Sequence, residues 1–278
     1  MAIITISRQL GAKGDEVGKS VAEKLDYDLI DRGTLTEATK KYPQLKTEEL
    51  AHIDEINPRF LDGIFGGSRT DYFEVLQTLI TGFACKGKVV ILGGGAQIFL
   101  REIPSALHVR ITCSMNERVR NLAHRHNIDP GRAMKVIGDS DRNRAHFFKV
   151  LFDADANDLA FYDMVLRTDK LTAEMSANLV VEAGRQKEIE GSWEVSQSIL
   201  GKMALAGEIK AAFRIDKYEN LQNITVSIPR SGHVHLTGYV SSEEEKARAE
   251  QLVRSIENVE GVVNELTLML FTPPITPY

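Results

Sequence analysis

An apolar run, Ile3 to Ser7, leads directly into Ser7-Arg8-Gln9-Leu10-Gly11-Ala12-Lys13-Gly14-Asp15-Glu16 and then into a stretch of helical periodicity, Asp15 to Leu25. Strand, glycine-bearing loop and helix in that order form the arrangement that cradles phosphate. The glycines let the backbone come close, and the helix start offers unpaired N–H groups at the positive end of its dipole. A complete phosphate loop, G-x-x-x-x-G-K-[ST], adds a lysine for the phosphates and a hydroxyl for magnesium. The chain has no such match, but two registers come near it. Gly14-Asp-Glu-Val-Gly18-Lys19-Ser20 keeps the Gly-Lys-Ser ending, is one residue short, and begins well past the strand. The other register starts the loop at the strand end, with Arg8 at the first glycine, Gly11 kept, and Lys13-Gly14 where Gly-Lys is expected. It obeys the strand-to-helix geometry and is preferred. Asp15 then stands at the hydroxyl position, where a carboxylate repels phosphate unless a metal intervenes. A structural turn that binds nothing is the alternative reading.

A second group of chemistry-bearing residues is Asp141-Arg142-Asn143-Arg144, in a helical stretch from Pro130 to Val150. A carboxylate accepts hydrogen bonds from ribose hydroxyls, and arginine offers a planar fork to phosphate or carboxylate. The alternative is an exposed helical charge cluster. His233 and His235 alternate on a strand and share a side, a spacing that could bind a metal, but no third ligand accompanies them. His124 and His126, two apart on a helix, do not share a face. No metal site is read from either pair.

The elements that must position these residues follow from the pattern of apolar runs. Strands are expected at Ile3 to Ser7, Tyr27 to Asp31, Lys88 to Leu92, Leu107 to Cys113 and Tyr162 to Leu166. Several are β-branched and apolar on both faces, which suits a parallel sheet covered by helices on both sides. Helical stretches lie between them, notably Thr70 to Cys85 and Asn116 to His126. That alternation predicts a doubly wound α/β domain with a five-stranded parallel sheet, whose ligands bind beyond the carboxyl ends of the strands. The polar, glycine-bracketed stretch Gly184 to Ser192 reads as a linker. A helix near Trp193 to Leu205, strands Ile224 to Pro229 and His233 to Val240, a helix Ser242 to Ile256 and a strand Val262 to Leu270 then describe a small α+β module. Ser242 with Glu245 forms a capping box at the start of its second helix. The expected division is 1–185, a linker 186–191, the module 192–271 and a tail 272–278.

The composition of the 278 residues is that of a globular chain, 43% hydrophobic and 26% charged, and long enough for two domains. Disorder throughout, a collagen-like repeat and a disulfide scaffold are excluded. A net charge of −5 gives no basic footprint for nucleic acid. Cys85 and Cys113 lie in apolar or small-residue runs and read as two buried thiols in a reducing compartment. No window reaches the roughly 18 apolar residues of a membrane span, and a soluble, cytoplasmic protein is expected.

The first part of the chain resembles the cytidylate kinase-like family, within the P-loop nucleoside monophosphate kinases. The resemblance covers roughly residues 1 to 185. It is carried by ITISRQLGAKGDEVGKSVAEKLDYDLIDRGTL, VVILGGGAQIFL, LHVRITCSMNERVRNL, DSDRNRAHFFK and YDMVLRTDKLT. In this family the loop typically reads S-R-x-x-G-S-G-G, without the usual lysine, and Lys13 stands at its third glycine-rich position. The resemblance implies a kinase-like fold and the use of Mg-ATP with a nucleoside monophosphate, CMP-like, as second substrate. It implies phosphate contacts from Arg8, Gly11, Ala12, Gly14 and Asp15, with Lys13 and Arg144 as the catalytic cations. Arg118 and Arg120 match the lid arginines that stack on the ATP base and neutralise its phosphates, and Asp141 and Arg144 match the aspartate and second arginine that hold the nucleotide sugar. Asp31-Arg32-Gly33 stands where the family has Asp-Ser-Gly for the monophosphate. A phosphate-binding arginine of the family falls at Glu37 and another at Gly94, and Arg69 is a candidate replacement.

Residues about 192 to 271 resemble the BON domain, a small α+β module of bacterial osmotic-stress and secretin proteins associated with phospholipid binding. The matching run is Gly232-His-Val-His-Leu-Thr-Gly238-Tyr-Val, the helix SSEEEKARAEQLVRSI and Asn258-Val-Glu-Gly261-Val-Val-Asn264-Glu-Leu. A phospholipid or protein partner is implied. Eight Lys or Arg against eleven Asp or Glu from Ser192 onward suit an anionic bilayer poorly. Two functions are therefore open: a nucleoside monophosphate kinase with an appended module, or an inactive kinase fold that senses a nucleotide or serves as a scaffold.

Overall fold

The computed structural model describes residues 1–39, 69–215 and 223–269. The chain divides into two units, Met1–Leu200 and Gly201–Tyr278. In the first, β1 (Ile3–Arg8), β2 (Asp28–Ile30), β3 (Val89–Leu92), β4 (Ala106–Thr112) and β5 (Met164–Arg167) form one parallel sheet in the order β2-β3-β1-β4-β5. Between them run α1 (Gly14–Leu25), α2 (Arg32–Thr39), α3 (Arg69–Cys85), the single turn α4 (Ala96–Phe99), α5 (Met115–His126) and α6 (Pro130–Phe152). After β5 comes α7 (Ala173–Gly184). The α/β class and the five parallel strands are as the sequence predicts.

The apolar inner strands β1, β3 and β4 are tolerated because neither of their faces meets water, whereas alternate residues of the edge strand β5 are exposed. Ile3, Ile4, Ile6 and all of Val89 to Leu92 are buried. Alternate residues of β1, β3 and β4, among them Ile6, Leu92 and Ile111, pack on Val17 and Val21 of α1 and on Ala177, Val180 and Val181 of α7. Cys113 is buried and Cys85 only partly so.

The interleaved positions of β4 carry two buried polar residues, His108 and Arg110. His108 Nδ1 lies 2.8 Å from Thr5 Oγ1, its neighbour across the β1–β4 ladder. Burial pushes the imidazole pKa below its ordinary 6.5, against the opposing pull of the Asp163 carboxylate. A histidine kept neutral by folding takes up protons more readily unfolded. Its contribution is full above about pH 6.5 and lost as pH falls below that value toward the lowered folded pKa. Denaturant midpoints measured at about pH 7.5 and 5.5 should therefore differ less in His108→Gln than in the wild type.

The polar stretch 186–191 contains one helical turn, α8 (Lys187–Glu190). The long helix α9 (Trp193–Ile215) follows, and the division between the units falls within it. The second unit continues with β6 (Ile224–Arg230), β7 (His233–Val240), α10 (Glu243–Arg254) and β8 (Gly261–Leu268). The sheet order is β6-β7-β8, with β6 antiparallel and β8 parallel to β7. Leu205, Ile209 and Phe213 of α9 and Ala249 and Val253 of α10 bury one face of this sheet against Val234, Leu236, Val240 and Leu266. Ser242 Oγ accepts the Glu245 N–H at 3.1 Å, and the Glu245 carboxylate reaches back to the N–H of Ser241. The tail 272–278 lies outside the described residues. Among those described, no helix is long and apolar enough to cross a membrane.

Candidate functional site

β1 pairs with β3 on one side and β4 on the other. The chain leaving β1 returns through β2 at one edge of the sheet, and the chain leaving β4 returns through β5 at the other. The two loops therefore part and leave a crevice at the carboxyl ends of the strands, the usual ligand position in such sheets. A cavity of about 630 Å³ opens there. Residues 8–11 and 13–16 of the loop and α1 line it, with Arg120, Asn121, Leu122 and residues 124–126 of α5 and Ser140 of α6.

The loop follows the register that starts at the strand end. α1 begins at Gly14, and Gly18 and Lys19 of the competing register lie inside that helix, Gly18 against Leu92 and Lys19 exposed. Lys13 takes a left-handed conformation, φ 59°, as the residue before α1, and is exposed. Gly11 has φ 83°, and a Cβ built on it would lie 2.7 Å from the backbone oxygen of Arg118. The loop thus rests backbone to backbone on α5, which only glycine allows. Ala12 is buried behind it. Arg8 Nε donates to Asp15 Oδ1 at 2.9 Å, with Asp15 about half exposed at the cavity wall. Asp15 and Glu16 also sit in the first turn of α1, where the helix dipole favours them.

The residues singled out in the sequence fall into three places. Arg8, Gly11, Lys13, Gly14, Asp15 and Arg120 border the cavity. Arg118 and Asp141, expected at the ATP base and at a sugar, are joined to each other. The guanidinium grips both Asp141 carboxylate oxygens at 2.8 and 2.7 Å, and Arg118 Nε donates to Leu10 O at 2.7 Å. Arg118 is 2% exposed. Arg144 is also buried, below the end of β1, where it donates to Arg8 O at 3.2 Å, to Tyr162 Oη at 3.1 Å and to Ser7 Oγ, over the Phe148 ring. Asp31, Arg32 and Gly33 stand at the start of α2, apart from the cavity lining. Asp31 caps that helix, accepting the Thr34 N–H at 2.9 Å and its hydroxyl at 3.1 Å.

The two positions without the family arginine are accounted for differently. Around Gly94 the nearest side chains are Leu35, Ile80 and Leu76, apolar surroundings that would desolvate a guanidinium. Glu37 is an exposed residue of α2. The side chain of Arg69, the candidate replacement, lies outside the described residues.

Sequence reasoning missed Arg110, Tyr162, Asn121, Arg125 and Thr168. Arg110 donates to Asn157 Oδ1 at 2.9 Å and to Tyr162 Oη at 3.3 Å, so two buried guanidiniums share one phenol. The signal was available, since His108 and Arg110 interrupt an otherwise apolar strand at alternate positions. Arg125 lines the cavity beside Arg120. The loop after β5 supplies Asp169, whose carboxylate accepts the Ser114 N–H at the start of α5. Hydrogen bonding from the Ser114 side chain, and less so from its N–H and from Arg167, holds the Asp169 pKa below the ordinary carboxylate value.

A model of the cytidylate kinase-like family matches residues 3–170. The chain belongs to that family. A BON domain matches residues 203–269. A cytidylate kinase of Staphylothermus marinus is 25% identical over 182 residues, covering 66% of this chain and 96% of the relative. One from Methanocaldococcus jannaschii is 24% identical over 183 residues, with 65% and 96% covered. Among solved structures, an uncharacterized protein of Eubacterium ventriosum superposes with a TM-score of 0.51 at 17% identity, over 66% of this chain and 98% of that one. The protein is thus a cytidylate kinase-like chain with a kinase fold, followed by a BON domain. In that BON domain, His235 pairs with Glu265 at 2.7 Å and His233 lies 2.7 Å from Arg230, so the two histidines have separate partners. Among the described residues no group of three or more His, Cys, Asp or Glu is placed to hold a metal.

Proposed function

We propose that the cytidylate kinase-like unit binds Mg-ATP over the loop Gly11 to Gly14 and transfers its γ-phosphoryl group to a nucleoside monophosphate, CMP-like by kinship. An acceptor phosphate oxygen bonds to the γ-phosphorus as the β–γ bridging bond breaks, giving ADP and a nucleoside diphosphate. The observation that carries this reading is the loop itself. Its backbone and the start of α1 border a cavity that also holds Lys13, Arg120 and Arg125. Phosphoryl transfer relies on positioned positive charge, which Lys13, Arg125 and Arg120, the last paired with Glu117 on its own helix, supply at this wall. The acceptor would approach from the side of Asp31, Arg32 and Gly33.

Magnesium fits the donor set through Asp15. The ion usually takes one or two carboxylates and completes its shell with phosphate oxygens and water, and Asp15 is a half-exposed carboxylate on the cavity wall. When bound, it would neutralise phosphate charge. Without it Asp15 opposes the triphosphate. Asp15→Asn should therefore tighten metal-free ATP binding about tenfold and flatten its dependence on magnesium, as read by calorimetry with and without chelator. Unchanged metal-free affinity would remove Asp15 from the phosphate site.

Coupled ADP release against a panel of nucleoside monophosphates tests the reaction. Turnover with a pyrimidine monophosphate supports it. Mg-ATP binding with no turnover on any acceptor would replace the kinase by a nucleotide-sensing protein. For the BON domain, the excess of acidic residues favours a protein partner over an anionic phospholipid surface.

A further inference from the structure

Six successive carbonyl groups of the phosphate loop are each engaged by a donor of the protein. Arg8 O accepts from Arg144 Nη1 at 3.2 Å, Leu10 O from Arg118 Nε at 2.7 Å and Gly11 O from Asn121 Nδ2 at 2.9 Å. Ala12 O accepts the Thr168 hydroxyl at 3.0 Å, a proton it shares with Thr112 O at 3.2 Å. Gln9 O and Lys13 O take the N–H groups of Ala12 and Val17 at 3.0 and 3.1 Å. Four of the six donors are side chains, drawn from α5, from α6 and from the turn after β5. A trans peptide directs its N–H opposite to its C=O. Tying the carbonyls of residues 10, 12 and 13 into the protein therefore turns the N–H groups of Gly11, Lys13 and Gly14 the other way, toward an anion in the cavity. A single carbonyl turned outward would present a negative dipole to the same phosphate.

We infer that Arg118, Asn121, Arg144 and Thr168 are positioning residues that hold the loop in its anion-binding conformation before any ligand arrives, with Asp141 acting through Arg118. This rests on the nucleotide-binding reading above and departs from the family resemblance, which would put Arg118, Asp141 and Arg144 on the nucleotide. The bidentate ion pair explains why Asp141 matters without touching substrate. It fixes the plane of the guanidinium so that Nε faces Leu10 O. Lys13, Arg120 and Arg125, with Arg8 where Asp15 does not hold it, are the cationic side chains at the cavity that are left to meet the phosphates directly.

Thr168 and Asn121 are the residues to change, because both are half-buried, whereas loss of the buried arginines endangers the fold. Two loop amides, Gln9 and Ala12, are hydrogen-bonded within the protein and report its order by hydrogen exchange without ligand. In Thr168→Val and Asn121→Ala these amides should exchange about tenfold faster, and inorganic tripolyphosphate and Mg-ATP should each bind about tenfold more weakly. Thr168→Ser, which keeps the hydroxyl, should restore both. The dependence of affinity on salt should match the wild type in all three variants and fall in Arg120→Ala, which should leave exchange unchanged. Wild-type exchange in both Thr168→Val and Asn121→Ala overturns the inference. So does weaker binding without faster exchange, which would make these side chains ligand contacts. If the wild type binds neither probe, the nucleotide reading fails, and the exchange rates still decide whether these side chains hold the loop.

Discussion

Lys13→Ala should lower phosphoryl transfer by about 10²- to 10³-fold and leave thermal stability unchanged. Both halves follow from where Lys13 sits. Its backbone is fixed in the left-handed region at the entry to α1, its side chain makes no capping bond, and it is exposed at the cavity mouth. Removing the ammonium group therefore costs the folded protein little, because no packing or buried bond is lost. The cost falls on the transition state, where charge spreads over the transferred phosphoryl group and a mobile cation beside it has its largest effect. The measurement is the rate of ADP release at saturating substrates together with a melting curve. Lys13→Arg should recover part of the rate, since the charge is kept and only its shape changes. A full rate in Lys13→Ala would transfer this role to Arg120 and Arg125.

The fold was legible because the strands of the first unit are short apolar runs and α1, α3, α5 and α6 carry helical periodicity between them; α2, the single turn α4 and α7 were not singled out in the sequence. The loop register was legible for a related reason. Only one choice begins where β1 ends, and α1 starts at Gly14 as that choice requires. Residue partnerships were harder. Arg118 and Asp141 stand 23 positions apart on α5 and α6, and the sequence assigns each to a ligand, the ATP base and a sugar, with a solvated charge cluster as the alternative for the Asp141 run; nothing in it pairs them. Only the packing of one helix on the other brings them within hydrogen-bonding distance.

Arg144 differs from that pair, because the chain did carry its signal. Ile137, Ser140, Arg144, Phe148 and Leu151 recur at helical spacing and are all buried, so the arginine occupies the inward stripe of α6. A charge in such a stripe must find acceptors inside the protein, and Arg8 O, Ser7 Oγ and Tyr162 Oη supply them. The family resemblance drew attention to the residue as a ligand contact, whereas the periodicity alone points to a buried one beneath the loop.

Gly11→Ala should have the second large effect, a loss of about 2–4 kcal/mol in stability and of tripolyphosphate binding by about a hundredfold. Two costs combine at this position. A residue with a side chain at φ 83° is strained, by about 1–2 kcal/mol in the left-handed region. The added methyl would also stand 2.7 Å from the carbonyl oxygen of Arg118 and 3.0 Å from its Cα. Those are backbone atoms of α5, so no change of side chain at position 118 can relieve the contact, and the loop must move instead. Movement of Gly11 breaks its carbonyl bond to Asn121 and turns the neighbouring N–H groups out of register with a bound phosphate. Denaturant unfolding measures the first cost and calorimetry with tripolyphosphate the second. A stable Gly11→Ala protein with wild-type anion affinity would mean that the loop binds no phosphate through its backbone, and the site would have to be sought among the cavity's side chains alone.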